Sequence, residues 1–219
     1  IRDRLTALRV QQRSSPVRRN SPAMILRRSA ALVARWVHTF VSVAGFGALI
    51  FFSLTGITLN HAAYFETADP MEREFSGQIA PALFEGGAVD RLGVVEELRA
   101  GEGLRGRVVE FREDGAELLV SFEAAGFTAD VYVDRLTGAY EGLTTVQGAW
   151  VLLNDLHKGR GTGGAWSWVI DVSAAVLLVC GLTGLWLLWF VKKRRRSGLA
   201  VTALGVLALP LVYVLFEFV

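Results

Sequence analysis

The sequence predicts a membrane α-helical protein, with three spanning helices carrying one small extracytoplasmic α+β insert. Three observations predict it. The 219 residues are 52% hydrophobic and only 20% charged, with a mean hydropathy of +0.39, so part of the apolar surface is expected to face lipid. Three apolar runs, 36–59, 166–191 and 198–219, are each long enough, at about 1.5 Å per residue, to cross a hydrocarbon core of roughly 30 Å. Charge is also segregated. Residues 1–36 carry nine arginines against one acid, 192–196 adds five bases, and 60–165 carries nine bases against eighteen acids. The pattern argues against a soluble enzyme and against a disordered chain.

In chain order, residues 1–26 read as a basic, disordered tail containing Met24, a candidate start. Residues 27–61 form the first span and its basic flank, with His38 its one ionisable group between Trp36 and Leu59. Lys and Arg of short loops collect on the cytoplasmic side, which places Arg27, Arg28, Arg35 and the 192–196 cluster inside. Residues 62–165 then face the periplasm of a bacterial inner membrane. The basic clusters meet anionic lipid headgroups, and a nucleic-acid partner is not expected. Residues 62–149 are the α+β domain, 150–165 an interfacial helix with a Gly-rich hinge, and 166–191 the second span. A cytoplasmic basic loop at 192–197 leads into the third span at 198–219, which contains Pro210.

Within the insert, Leu92, Val95 and Leu98 share one face of a helix over 89–100, and Gly101 to Gly106 end it. Alternating segments at 107–112, 117–123 and 128–133 predict strands, with a short fourth at 139–141 and turns at 113–115, 124–126 and 134–138. Phe111, Leu119, Phe122 and Val131 are the expected core of this sheet. With Cys180 the one cysteine, no intrachain disulfide forms.

Several separated motifs stand at the membrane ends. Arg35-Trp36-Val37-His38 enters the first span and Ser53-Leu54-Thr55-Gly56-Ile57-Thr58-Leu59-Asn60-His61 leaves it. Leu153-Asn154-Asp155-Leu156-His157-Lys158-Gly159-Arg160 precedes the second span, and Gly181-Leu182-Thr183-Gly184-Leu185-Trp186 lies within it. On these motifs the chain resembles the PepSY-associated transmembrane helix family over residues 27–196, specifically short members with a single PepSY-like insert. Larger relatives with two such helix pairs resemble inner-membrane reductases of ferric siderophores, which carry haem held by histidines at helix ends. The resemblance implies an electron-transfer component reducing a periplasmic acceptor. Because this chain has half the helix count, a full reductase site implies a homodimer or a larger complex.

All three histidines lie at membrane boundaries. His38 and His61 are 23 residues apart, about 34 Å along a helix, and cannot share a metal within one chain. His61 and His157 are expected to face each other as axial imidazoles of haem b, with Asn60, Asn154, Asp155 and Asp171 as supporting groups. Gly45, Gly47, Ser53 and Gly56 in the first span, with Ala174, Ala175, Gly181 and Gly184 in the second, leave room for a flat macrocycle. His38 is expected at an inner haem completed by a second protomer. The plainer alternative makes these histidines headgroup contacts, the small residues helix-packing positions, and Asp171 an anchor near the headgroups. The chain is then a non-enzymatic accessory module that binds an envelope partner. Trp36, Trp166 and Trp168 suit interfacial belts. The sequence shows no Gly-rich phosphate loop, HExxH or Cys–His nucleophile pair.

Overall fold

The computed structural model describes residues 22–87 and 89–217, so most of the tail expected at 1–26 lies outside the described residues. The chain divides into two compact units, Ala44–Leu177 and Ile1–Val43 with Leu178–Val219. The first helix, α1, covers Pro22–Asn60. Pro22 opens it, since a fixed φ and a missing N–H cost nothing at the first helical position. Residues 22–26 therefore belong to the helix and not to the tail. A single turn, α2, follows at Ala62–Phe65.

The insert then runs through strand β1 (Met71–Gln78), a 3₁₀ turn (Pro81–Gly87), helix α3 (Arg91–Glu102), and strands β2 (Arg107–Asp114), β3 (Glu117–Ala124), β4 (Phe127–Asp134) and β5 (Ala139–Val146). Asp90 caps α3 by accepting from the Gly93 N–H at 3.0 Å, and Gly103, in the left-handed region at φ 67°, ends it. The five strands form one antiparallel sheet in the order β1-β5-β4-β3-β2. One face is the core, where Leu118, Val120, Phe122, Val131 and Val133 meet Val94 and Leu98 of α3, all essentially inaccessible.

Two of the expected core residues, Phe122 and Val131, sit in that core, and Phe111 packs at its edge. Leu119 does not. Side chains alternate along a strand, so with 118, 120 and 122 inside, Leu119 points to the opposite face. The sheet also extends the expected segments, most of all at β5, and adds β1, which was not expected at all.

Beyond the sheet come α4 (Ala149–Lys158), α5 (Gly164–Phe190) and α6 (Arg195–Glu217). The expected basic loop is shorter than 192–197, because Arg195 already opens α6 and only 191–194 connect the helices. Among the described residues three helices are long and apolar enough to cross a membrane: Met24–Asn60, Gly164–Phe190 and Arg195–Glu217. The last keeps Pro210 in its interior.

Candidate functional site

The position of His157 is set by what holds α4. Asp155 accepts from the Gly126 N–H in the β3–β4 turn at 3.0 Å, and Arg160 pairs with Glu123 of β3 at 3.2 Å. Gly159, at φ 71°, caps the helix by donating to the carbonyls of Asp155 and Leu156. The Trp166 indole N–H also donates to Leu156 O at 2.7 Å. On the side toward α1, the Thr58 hydroxyl donates to Asn154 Oδ1 at 2.7 Å, and Asn154 Nδ2 donates to Glu66 Oε1 at 2.8 Å. Asn154 is 2% exposed and Thr58 is fully buried, so this chain of bonds satisfies groups that would otherwise be costly to bury.

In this frame His157 Nδ1 lies 2.5 Å from the Thr55 hydroxyl. The Thr55 hydroxyl also reaches the Phe51 carbonyl at 2.6 Å, and its one proton serves either partner. With the hydrogen on Nδ1, the neutral His157 ring keeps its lone pair on Nε2. The Phe52 ring meets the imidazole edge-on at 5.2 Å, and Gly56 leaves room beside it, since a Cβ there would lie 3.7 Å from His157 Cε1.

His38 has the same arrangement. Its Nδ1 is 3.0 Å from the Thr183 hydroxyl, which already donates to the Val179 carbonyl at 2.7 Å. With the hydrogen on Nδ1, the His38 ring donates to that hydroxyl and keeps its lone pair on Nε2. The next residue is Gly184, where a Cβ would come 3.2 Å from His38 Cε1. Ser42 donates to the His38 carbonyl at 2.6 Å, and its hydroxyl lies 3.0 Å from the Cys180 thiol.

His61 is held more simply. Its Nδ1 lies 3.1 Å from the Ile57 carbonyl, which can only accept. In all three rings Nδ1 is the hydrogen-bonded nitrogen, and Nε2 enters none of these bonds. A metal-bound histidine commonly has this arrangement, in which the outer nitrogen donates to an oxygen and fixes the ring for its ligand.

The structure gives His61 and His157 different neighbours and does not bring them face to face. Along α1, Thr58 with its bond to Asn154 comes between Thr55, which holds His157, and His61. Six residues from Thr55 to His61 are roughly 9 Å of rise and about 240° of turn. Of the expected supporting groups, Asn154 bonds Thr58 and Glu66, and Asp155 ties α4 to the sheet. Asn60 and Asp171 are exposed. Gly45 serves close helix packing, where a Cβ would meet Val176 Cγ1 at 3.0 Å, whereas Gly47 and Gly181 face open space. Trp36 and Trp168 are exposed on their helices, as a belt requires, while Trp166 braces α4.

The residues that the sequence reading missed are Thr55 and Thr183. Their signal is present as a repeat: Leu54-Thr55-Gly56 and Leu182-Thr183-Gly184 are the two places where a histidine rests. Among the described residues no group of three or more His, Cys, Asp or Glu side chains is placed to hold a bare metal ion.

Two titrating groups in the sheet domain are displaced from their ordinary values. Burial pushes the Tyr140 phenol up to about 12, helped by its hydrogen bond to Glu102. The Leu136 N–H, with Thr137, holds the Asp134 carboxyl below its usual range, because those donors favour the ionised form that caps the β4–β5 turn.

A family model described as PepSY_TM-like matches residues 32–217. The match runs past Arg196, where the resemblance seen in the sequence stopped, and takes in the third helix. No curated protein and no solved structure matches the chain.

Proposed function

Since the chain belongs to the PepSY_TM-like family, we propose that it is a haem-binding electron-transfer component of a bacterial inner membrane, reducing an acceptor such as a ferric chelate on the periplasmic side. The observation that carries the proposal is the shared seat: each histidine has its Nδ1 against an oxygen of the chain, and Nε2 stays outside that bond. A protein that binds a bare ion brings three or four ligands together. An iron porphyrin brings four nitrogens of its own and asks the protein for one or two axial groups, which isolated histidines of this form can supply. When bound, haem b supplies a one-electron couple. The chain's residues do the rest: Thr55 and Thr183 fix two imidazoles, and the glycines after them keep one side of each ring clear.

His157 and His38 are the ligands in this proposal, one toward the sheet domain and one toward the basic flanks. His61 or a second copy of the chain would supply a further imidazole beside His157, and a second copy would supply one beside His38. The periplasmic placement of residues 62–165 is supported by the segregation of acids to that segment and of bases to both ends.

The test is the visible spectrum of the full chain purified from haem-replete membranes. A reducible Soret band is expected. His157→Ala and His38→Ala each remove or convert to high spin a separate part of it, since loss of one imidazole leaves iron five-coordinate or frees the macrocycle. If His61→Ala removes the same part as His157→Ala, His61 is the second ligand; if it changes nothing, a second copy supplies it. A chain that binds no haem, or a band that survives all three substitutions, overturns the proposal and leaves a non-enzymatic accessory module.

A further inference from the structure

The sheet domain has two unlike faces. Helix α3 and the 3₁₀ turn pack against one, and among the described residues no helix packs across the other, which Arg160 touches at Glu123. Strand register places Glu74, Leu143, Asp130, Ser121 and Glu110 in one row across the bare face. The next row is Ser76, Glu141, Tyr132, Leu119 and Arg112. Asp114, Glu117 and Asp134 lie directly opposite one another in a third. Like charges directly opposite destabilise a sheet.

Relief within the chain is sparse. On this face Glu110 pairs with Arg112 at 3.4 Å, and Glu123 with Arg160 at 3.2 Å. Glu74, Glu117 and Glu141 enter none of the ion pairs among the described residues. Between these acids the surface is apolar. Tyr132 is 50% exposed and Leu143 38%, and they line a hollow of about 630 Å³ with Glu74, Asp130 and Glu141.

An aromatic and an aliphatic side chain inside a charged surround is how protein interfaces are built. Uncompensated acids lower their mutual repulsion when a surface of opposite sign docks. We infer that the bare face of the sheet docks a protein partner with a lysine- and arginine-rich surface. Tyr132 and Leu143 form the centre of the contact, and Glu74, Asp130 and Glu141 face the partner's bases. A single cation does not fit this face as well. Glu74 and Asp130 lie two strands apart, roughly 10 Å, while an ion such as Ca²⁺ draws its oxygens to about 2.5 Å. An anionic membrane surface is repelled. The inference does not depend on what the histidines hold.

The test uses the full chain in detergent and a basic probe protein, egg-white lysozyme, with binding followed as ionic strength is raised. Two triple variants remove the same charge. One is Glu74→Gln with Asp130→Asn and Glu141→Gln on the bare face; the other is Asp69→Asn with Glu96→Gln and Glu97→Gln away from it. The first is expected to weaken binding by about tenfold or more, as removing acids that face a partner's bases does, and the second by less than about twofold. Tyr132→Ala, which leaves the charge unchanged, is expected to weaken it severalfold. Equal losses in the two triples, or no loss with Tyr132→Ala, would show that lysozyme senses only net charge and would overturn the inference. So would saturable Ca²⁺ binding lost in the first triple while lysozyme binding persists. Thermal unfolding of each variant at the wild-type temperature excludes misfolding as the cause.

Discussion

The His157 seat and the His38 seat are made from the same parts, an imidazole, a threonine hydroxyl and the glycine that follows it, yet they are supported differently. His157 comes from a separate helix held to the sheet domain by Asp155, Arg160 and Trp166, and buried Thr58 and Asn154 stand behind it. His38 stands on a spanning helix, and its neighbours are Ser42 and Cys180, only partly buried. The comparison teaches that the hydrogen bond to Nδ1 is a local matter, needing only a threonine hydroxyl on the facing helix. The rigidity of the ring is not local. At His157 it depends on a folded extramembrane domain, and at His38 on helix packing alone.

The largest test of this difference is made far from either ring. Phe122→Ala in the sheet core should cost about 3–5 kcal/mol, the range for truncating a buried aromatic, which rivals the whole stability of so small a domain. Because α4 hangs on the β3–β4 turn, His157 should lose its bond to Thr55 with the sheet, while His38 keeps its bond to Thr183. Ring ¹⁵N shifts in selectively labelled protein report both. A His157 ring unchanged in an unfolded domain would show that its seat is as local as that of His38.

A smaller effect is expected behind each ring. Asn154→Ala leaves the Thr58 hydroxyl with the Thr55 carbonyl alone and takes from Glu66 the amide that donates to it, and losing one member of a buried pair costs about 1–3 kcal/mol. Ser42→Ala removes a hydroxyl that bonds a carbonyl of its own helix, so its cost should fall below about 1 kcal/mol. Denaturant melts of the two variants compare them directly. If Ser42→Ala proves the costlier, the His38 seat has support that the hydrogen bonds do not reveal.

Much of this architecture was legible beforehand, and the failures have physical reasons. The spans were readable from uninterrupted apolar runs, and β2, β3 and β4 from alternation and Gly turns. Strand β1, Met-Glu-Arg-Glu-Phe-Ser-Gly-Gln, was not, because an edge strand with one bare face buries almost nothing and shows no apolar period. It pairs with β5, distant in sequence, and the extent of β5 was missed for the same reason. Leu119 was misassigned because β3 is apolar at 118, 119 and 120, so only the partner strand decides which face is inside. At the site, the three histidines were identified but their neighbours were not. Burial of Thr55 depends on where α4 docks, and no local period encodes that.

A milder probe separates the seats by pH. In the folded domain the Tyr140 phenol is held up to about 12, above the value of about 10 for a free tyrosine. A raised pKa means that the protonated phenol stabilises the fold. That contribution is complete below pH ~10 and is lost as pH climbs toward ~12. Hydrogen exchange in the sheet, and mobility of the His157 ring with it, should increase over that window, and Tyr140→Phe should remove most of the dependence. The His38 ring should be indifferent to the same titration.

The finest contrast lies in the two glycines. Replacing Gly by Ala inside a helix gains about 0.5–1 kcal/mol when the methyl has room. At Gly56 it has room, because the new Cβ would lie 3.7 Å from His157 Cε1, an ordinary contact. At Gly184 the same atom would come 3.2 Å from His38 Cε1, so the ring must tilt by a few tenths of an ångström and lengthen its bond to Thr183. Gly56→Ala is therefore expected to stabilise slightly and leave the His157 ring signals in place. Gly184→Ala should give little or no net gain and shift the His38 Nδ1 resonance. If both variants behave alike, the ring of His38 has slack in its seat, and the distinction drawn between the two glycines does not hold.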